Sequence, residues 1–450
     1  MSDFLKRLGI GGAIGLAVAI IVGWGSYEVP FIKSLLDGYE FLSYDGRMRA
    51  RTVGVEQMSI DDVVIVDIDN TSVAPPEDGG LGHYFDWPQA YHGRLINTVS
   101  SGNPKALIFD IIFDKENTFN YDLINALTNE NASPNQALVD VTDEYLTSND
   151  PATFLEATYN TQKTYHALVF EEEDTLNFLY KMETEPEGYY FEKHIIHGIS
   201  EEAKLKLPQA DRVGNTYVDL LSASVGAGSA NFPQDEDGVI RRSPTAIYFE
   251  GPDHVYPSLV MSAAIDILGI KKDGGFDYDF ENNILRLIDT TNTVVREIPI
   301  DDHGRMYVNY YGPFQTFYYL PYMYCFDPEM LPPEYWEDKV AFVGASLPGL
   351  MDLRNTPVQE TFAGVEIHAN VMQSLLKGEF VQPKHRSETF VMIIIICVLL
   401  GVLVSLPEKP LYTLPVPLVG IIGWVLFSYS QFFSSLLMWE IVRPALAMMG

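Results

Sequence analysis

Two carboxylates stand two residues apart where an apolar run ends. Val64 to Val73 reads Val-Ile-Val-Asp-Ile-Asp-Asn-Thr-Ser-Val, which places Asp67 and Asp69 in an Asp-x-Asp-x-Thr sequence. A carboxylate at such a position can attack a phosphoryl group, a second beside it can move a proton, and a magnesium ion can steady both. Asp110 and Asp114 leave the next apolar run in the same way. Four carboxylates at one sheet edge form a candidate site for a hard cation or another ligand. The competing reading is structural: acidic residues at a strand end cap the following loop at a solvated edge.

The Asp67 segment resembles the first motif of haloacid-dehalogenase-like phosphatases. That resemblance implies Asp67 as nucleophile and Asp69 as acid/base beside magnesium. Lys339 and the following Val-Ala-Phe-Val-Gly-Ala-Ser are similar to the family's lysine and last acidic strand. The sequence departs from the pattern at Ala345, where the family carries a metal-binding Asp, and Asp352 follows without its partner. A membrane-anchored phosphohydrolase is therefore the alternative, and no catalytic residue, cofactor or metal site is assigned.

Three further constellations carry chemistry. Gly344 to Gly349, with Ser346 inside it, follows an apolar run, so its backbone N–H groups can meet an anion or simply close a tight turn. Asp237-Gly238-Val239-x-Arg241-Arg242 reads as a turn entering a strand. Adjacent strand residues point to opposite faces, so one arginine is expected to reach a buried carboxylate while the other stays solvated. Arg241 is thus a structural ion-pair residue or an effector ligand. In Gly364 to Asn370, Glu366 and Asn370 share a helix face while His368 points elsewhere, which disfavours a zinc site.

The elements that must position these groups alternate. Val63 to Ile68, Ala106 to Phe113, Tyr165 to Phe170, Val239 to Tyr248, Arg305 to Asn309 and Lys339 to Val343 have strand character. His92 to Ser100, Ser258 to Leu268 and Val365 to Leu376 have helical spacing. Strand, helix, strand implies parallel pairing with a right-handed crossover, hence an α/β domain with a mostly parallel or mixed sheet and helices on both faces. Thr118 to Asn160 and Glu171 to Ala210 read as insertions.

Around this domain lie uncharged apolar stretches long enough to cross a bilayer. The layout predicts residues 1–7 in the cytoplasm, membrane helices at 8–27, 388–406 and 411–431, an extracytoplasmic domain at 28–387, and an outer hairpin at 432–450 opening a further, truncated span. Lys6, Arg7 and Lys409 set that orientation. Phe31 to Arg51 reads as a stalk helix. Pro415 and Pro417 predict a bend, and Glu440 and Arg443 are spaced to pair on a helix. In the first span Gly11, Gly15, Ala19 and Gly23 recur every four residues, a stripe that lets two helices approach closely and suggests a homodimer.

Composition bounds the partners. Against 29 Lys plus Arg stand 61 Asp plus Glu, a formal charge of −32, which excludes nucleic acid as an expected partner. Cys325 and Cys397 are the only cysteines, so no disulfide can form within the outer region.

Read in order, the motifs resemble the cyclases/histidine-kinase-associated sensory extracellular domain of the second type. They include Tyr44-Asp45-x-Arg47, Val66-Asp67-Ile68-Asp69, Trp87-Pro88, Phe109-Asp110-Ile111-x-Phe113, Tyr256-Pro257-Ser258-Leu259 and Gly364-Val365-Glu366-Ile367-His368-Ala369-Asn370. The resemblance implies the sensory input of a bacterial inner-membrane receptor, multi-pass, with a periplasmic or extracellular domain that answers a small-molecule or envelope stimulus. It also implies a cytoplasmic nucleotide cyclase, kinase or diguanylate cyclase output, absent from these residues. On that reading Asp67, Asp69, Asp110, Asp114, Ser346, Asp352 and Arg241 are the candidate ligand-binding residues.

Overall fold

The computed structural model describes residues 2–116, 149–150, 152–171, 192–347, 353–407, 413 and 415–449. The chain divides into two compact units, one formed by Met1–Gly54 with Glu379–Gly450 and the other by Val55–Gly378.

The second unit is mixed α/β. Its main sheet contains β1 (Ile60–Ile68), β2 (Ala106–Phe109), β3 (Thr164–Glu171), β4 (Arg212–Asn215), β5 (Gly226–Ser229), β6 (Phe317–Pro321) and β7 (Val340–Ala345). The order is β6-β1-β7-β2-β3-β4, with β5 also on β3. All neighbours are parallel except the β3–β4 pair.

β1 and β2 are parallel members of one sheet, as expected, but they do not touch. β7 lies between them, with Val63 beside Val340 and Val340 beside Ala106. The five residues Val340 to Gly344 are buried, which suits the centre of a sheet covered on both faces. The expected strand from Val239 to Tyr248 is instead two short ones outside this sheet, Arg242–Pro244 and Ala246–Phe249. Arg242–Pro244 pairs with Arg305–Tyr307. A three-stranded antiparallel sheet spans 276–299.

Two helices cover one face: α3 (Ala90–Ser101) and α4 (Ala152–Thr161). Val64, Val66, Leu107, Phe109, Ala341 and Val343 pack there with Leu95, Ile96 and Phe154. The alternate residues Val63, Ile65, Ile108, Val340 and Phe342 are also fully buried. Their side of the sheet meets α5 (Leu259–Ile267) and α6 (Gly364–Lys377). Gly344 allows α6 to come this close, because a Cβ there would stand 2.8 Å from the Val365 side chain.

Among the described residues the first unit contains three helices long and apolar enough to cross a membrane: Phe4–Glu28, Arg386–Ser405 and Pro415–Ser435. The first is α1 (Ser2–Val18), continued by a π-helical turn over Ala19–Trp24 and a short α-turn to Glu28. Val29 is extended, and Pro30 then opens the stalk α2 (Pro30–Thr52), where a missing N–H costs nothing.

The other two spans are α7 (Arg386–Ser405) and α8 (Pro415–Ser435). Pro415 and Pro417 occupy the first turn of α8, so they start that helix rather than bend it. Lys409 and the rest of 408–412 lie outside the described residues. Beyond α8, Leu437–Met438 pairs in parallel with Gln382–Pro383, and α9 (Val442–Met449) follows.

The small-residue stripe is already used within the chain. A Cβ on Gly11 would overlap the Gly401 carbonyl, and one on Gly15 the Cys397 carbonyl. Ala19 is fully buried in a cluster with Ile393 and Cys397, and a Cβ on Gly23 would stand 2.8 Å from the Phe390 ring. Gly11, Gly15, Ala19 and Gly23, expected to face a second copy, lie against a helix of the same chain. The close approach they permit is between α1 and α7.

Candidate functional site

The sheet ends its parallel strands at one edge, the edge where open α/β sheets bind ligands. Asp67, at the end of β1, accepts from the Ser346 backbone N–H at 2.7 Å and from its hydroxyl at 2.5 Å. Burial raises the Asp67 carboxyl to about 6, against the lowering effect of those two donors. Asp69 accepts from the Ser72 N–H and hydroxyl at 2.8 and 2.6 Å, closing the loop after β1. The capping reading describes Asp69, whereas Asp67 holds the segment that follows β7.

Asp114 is exposed, and Asp110 lies at the end of β2 with its Oδ1 3.6 Å from His368 Nε2. Among the described residues no group of three or more His, Cys, Asp or Glu side chains is placed to hold a metal. Asp352 lies outside the described residues. The Gly344 to Gly349 turn does not offer Ser346 to an outside anion, since its N–H already serves Asp67.

The phosphatase-like lysine is at the wrong end of its strand. Lys339 precedes β7 and holds Asp61, its Nζ 3.0 Å from the backbone oxygen and 3.2 Å from the carboxylate. Asp67 sits beside Gly344, five residues further along, roughly 16 Å at the rise of a strand. One phosphoryl group cannot touch both.

Arg241 is fully buried between Asp235 at 3.1 Å and Asp237 at 2.7 Å. Arg242 binds the same Asp235 and also Asp301, at 2.8 Å. The expectation that one arginine would stay solvated is corrected: the Asp235 carboxylate, almost wholly enclosed, needs both. The turn itself is as read, with Gly238 at φ +78°.

A cleft of about 730 Å³ opens at the same edge, between the ends of β1, β2, β3 and β7. Of the sequence candidates it includes Asp110. The cleft residues that sequence reasoning missed include Tyr84, Glu171, Gln209, Asn231 and Arg354, which come from separate elements with no shared pattern. Asn231 fixes one wall by donating to the Phe170 carbonyl and accepting from its N–H, both at 2.8 Å.

α6 begins in this cleft, where Gly364 and Val365 line it. In the same first turn, Glu366 accepts from the N–H groups of Gln315 and Thr316 at 2.9 and 3.0 Å and from the Tyr319 hydroxyl at 2.9 Å. Asn370 accepts from the Tyr311 N–H at 2.9 Å. The loop so held accepts in turn from Met58 and Ser59, at 2.8 and 2.9 Å, in the segment that leads from the stalk into β1. Near its far end α6 meets β1 again, through Lys377 and Asp62 at 2.6 Å. Gly378 closes the helix at φ +71°, and the chain continues toward α7.

The chain matches the family model of the CHASE2 domain over residues 14–405. It belongs to the CHASE2 domain family. Comparisons with curated proteins and with solved structures yield no match. A CHASE2 domain is a sensory extracellular module, and the three apolar helices mark a membrane protein.

Proposed function

We propose that this CHASE2 chain is the input of a bacterial inner-membrane receptor that carries a stimulus from the sheet-edge cleft to a cytoplasmic cyclase or kinase output. Residues 1–7 face the cytoplasm, the domain faces the periplasm or exterior, and the spans cross between them. The observation that carries the proposal is the course of α6. One helix lines the cleft at its first turn, holds the segment arriving from the stalk, and ends where the chain leaves for α7.

A ligand acts by favouring one arrangement over another. Movement of α6 changes how Glu366 and Asn370 hold the 311–316 loop, on which the arriving segment rests, so a change at the cleft reaches both connections to the membrane. The element is a single rigid helix, and its two-state character is what the experiment must show.

The test joins residues 1–450 to a cytoplasmic adenylate cyclase and measures cyclic AMP in membranes. Glu366→Gln and Asn370→Ala are expected to change the output at least about 3-fold while the domain stays folded by circular dichroism. Output unchanged by both substitutions overturns the transmission path. A phosphohydrolase reading would require magnesium-dependent turnover abolished by Asp67→Asn. The Ser346 cap on Asp67 and the distance to Lys339 argue against it.

A further inference from the structure

Two membrane-crossing helices of the first unit end side by side. Gly11 lies against Gly401, Gly15 against Cys397 and Gly23 against Phe390, an antiparallel pairing that brings Glu28 at the end of one span within 2.6 Å of Arg386 at the start of α7. Beside that ion pair is a pocket of about 220 Å³, lined by Trp24, Tyr27, His385, Arg386, Ser387 and Phe390. We propose that this pocket binds the headgroup of a zwitterionic phospholipid with a primary ammonium, a phosphatidylethanolamine, its phosphate on Arg386 and its ammonium on Glu28. The site belongs to the membrane unit and is independent of the sheet-edge cleft.

Size points to one part of a larger molecule. The pocket is smaller than the roughly 300–1,000 Å³ of sites that enclose a whole small molecule. The spans next to it expose Ile20 and Ile21 on one helix and Val391 and Ile395 on the other, so the hydrocarbon part of a guest has apolar surface to lie on. Trp24, which is 60% exposed, stands in the last turns of its span, where aromatic rings favour the membrane–water boundary.

Charge selects the head. Arg386 donates through Nη2 to Glu28, which leaves Nε and Nη1 for an acceptor and one Glu28 oxygen for a donor. Both side chains are about half exposed. A guanidinium fork suits a phosphate, and the carboxylate beside it suits an ammonium N–H. Lys384 pairs with Glu388 at 3.1 Å, so the acids and bases around the pocket balance and a lipid of net negative charge meets no excess of cation. Phosphatidylcholine, whose nitrogen carries no N–H, has nothing to donate to Glu28.

The guanidinium is held in advance. Arg386 stands over the Tyr27 ring at 4.1 Å, the Tyr27 hydroxyl donates to Glu440, and Arg443 lies 4.4 Å from the same ring. Little side-chain ordering is left to oppose binding.

The test is native mass spectrometry of the full chain, delipidated in detergent, with added phosphatidylethanolamine, phosphatidylcholine or phosphatidylglycerol of the same acyl chains. One phosphatidylethanolamine should be retained per chain, at least about 10-fold more tightly than either other lipid, as the loss of one charge-assisted hydrogen bond predicts. Glu28→Gln should abolish the preference over phosphatidylcholine while leaving phosphatidylcholine retention as it was. Trp24→Ala, at an exposed position, should weaken retention of all three.

The proposal is overturned if phosphatidylcholine or phosphatidylglycerol is retained as tightly, or if Glu28→Gln, folded by its unliganded Tm, keeps the preference. It is also overturned if soluble phosphoethanolamine at equal concentration displaces the lipid, which would make the ligand a soluble one. Should Glu28→Gln fail to fold, the ranking of the three lipids on the parent chain decides by itself.

Discussion

The Tyr319 hydroxyl donates to the Glu366 carboxylate at 2.9 Å, joining the edge strand β6 to the helix that runs from cleft to exit. Backbone N–H groups of Gln315 and Thr316 also donate to the carboxylate, and no cation is among these partners. Burial raises the Glu366 carboxyl to about 7 and, with that carboxylate beside it, pushes the Tyr319 hydroxyl well above its ordinary range.

A raised acid favours the folded state most when protonated. Its contribution is therefore full below the unfolded value of 4.5 and is lost as pH rises through about 7. Urea unfolding of the parent and of Glu366→Gln from pH 4.5 to 8 isolates this group. The parent-minus-variant stability should fall steadily to about pH 7 and then level off. A flat difference across that window refutes the assignment.

Four buried histidines pull the other way. His92, His166, His194 and His368 are each lowered to about 3 by burial, so the stability they contribute is present above 6.5 and is lost as pH falls toward 3. His166 stacks on Phe109 at 5.0 Å, and neither of its ring nitrogens has a hydrogen-bond partner among the described residues. An unpaired buried polar group costs about 1–3 kcal/mol. His166→Phe should therefore hold or raise the denaturation midpoint at pH 7 and reduce acid lability between pH 6 and 4. Destabilisation by more than about 2 kcal/mol at pH 7 would reveal a partner for His166.

Much of the architecture was legible and much of the site was not, for the same physical reason. β1, β2, β3 and β7 are runs of β-branched and aromatic residues buried on both faces, so composition alone exposes them. The insertion of β7 between β1 and β2 is a long-range pairing with no local signature. Edge strand β6, Phe-Tyr-Tyr-Leu-Pro, lacks both a β-branched run and a clean alternation. Asp67 and Asp69 stood out because catalytic and loop-capping carboxylates occupy the same strand-end positions. The role of Asp67 is decided by Ser346, 279 residues away, and that of Asp69 by Ser72. Glu366 and Asn370 were placed correctly on one helix face, but the loop they hold could not be read from spacing.

Arg241 separates a structural cation from an effector ligand. Removing it leaves Asp235, nearly fully enclosed, with Arg242 alone. Breaking a buried pair costs about 3–5 kcal/mol. Arg241→Ala should lower the unfolding free energy by that amount. Stability within about 1 kcal/mol of the parent would return Arg241 to the ligand-binding candidates.

The α1–α7 packing makes the glycine stripe a test of chain stability rather than of association. Leucine at Gly15 drives its side chain into the Cys397 carbonyl, and at Gly11 into Gly401. Either substitution should lower the detergent-solubilised chain's unfolding temperature by several degrees at every protein concentration. A loss that appears only on dilution would instead place a second copy against the stripe.

Glu40 ties the stalk to the last helix. Its carboxylate accepts the N–H groups of Ile441, Val442 and Arg443 at 2.8, 2.7 and 3.0 Å, capping α9 from another element. Arg47 donates to the Trp439 carbonyl at 2.8 Å, and Arg443 reaches Asp37 at 2.6 Å, so three stalk side chains converge on one short hairpin. A charged N-terminal cap contributes about 1 kcal/mol through its hydrogen bonds and the helix dipole. Glu40→Gln gives up the charge and half the acceptors. Amide exchange at Ile441 to Arg443, followed by mass spectrometry in nanodiscs, should quicken about 5-fold, as 1.4 kcal/mol corresponds to tenfold. Exchange in α8 should stay unchanged, since the loss is local to the cap. Equal rates in parent and variant would mean that α9 holds its first turn without the stalk, and that movement of α2 has no direct grip on the helix that follows the hairpin.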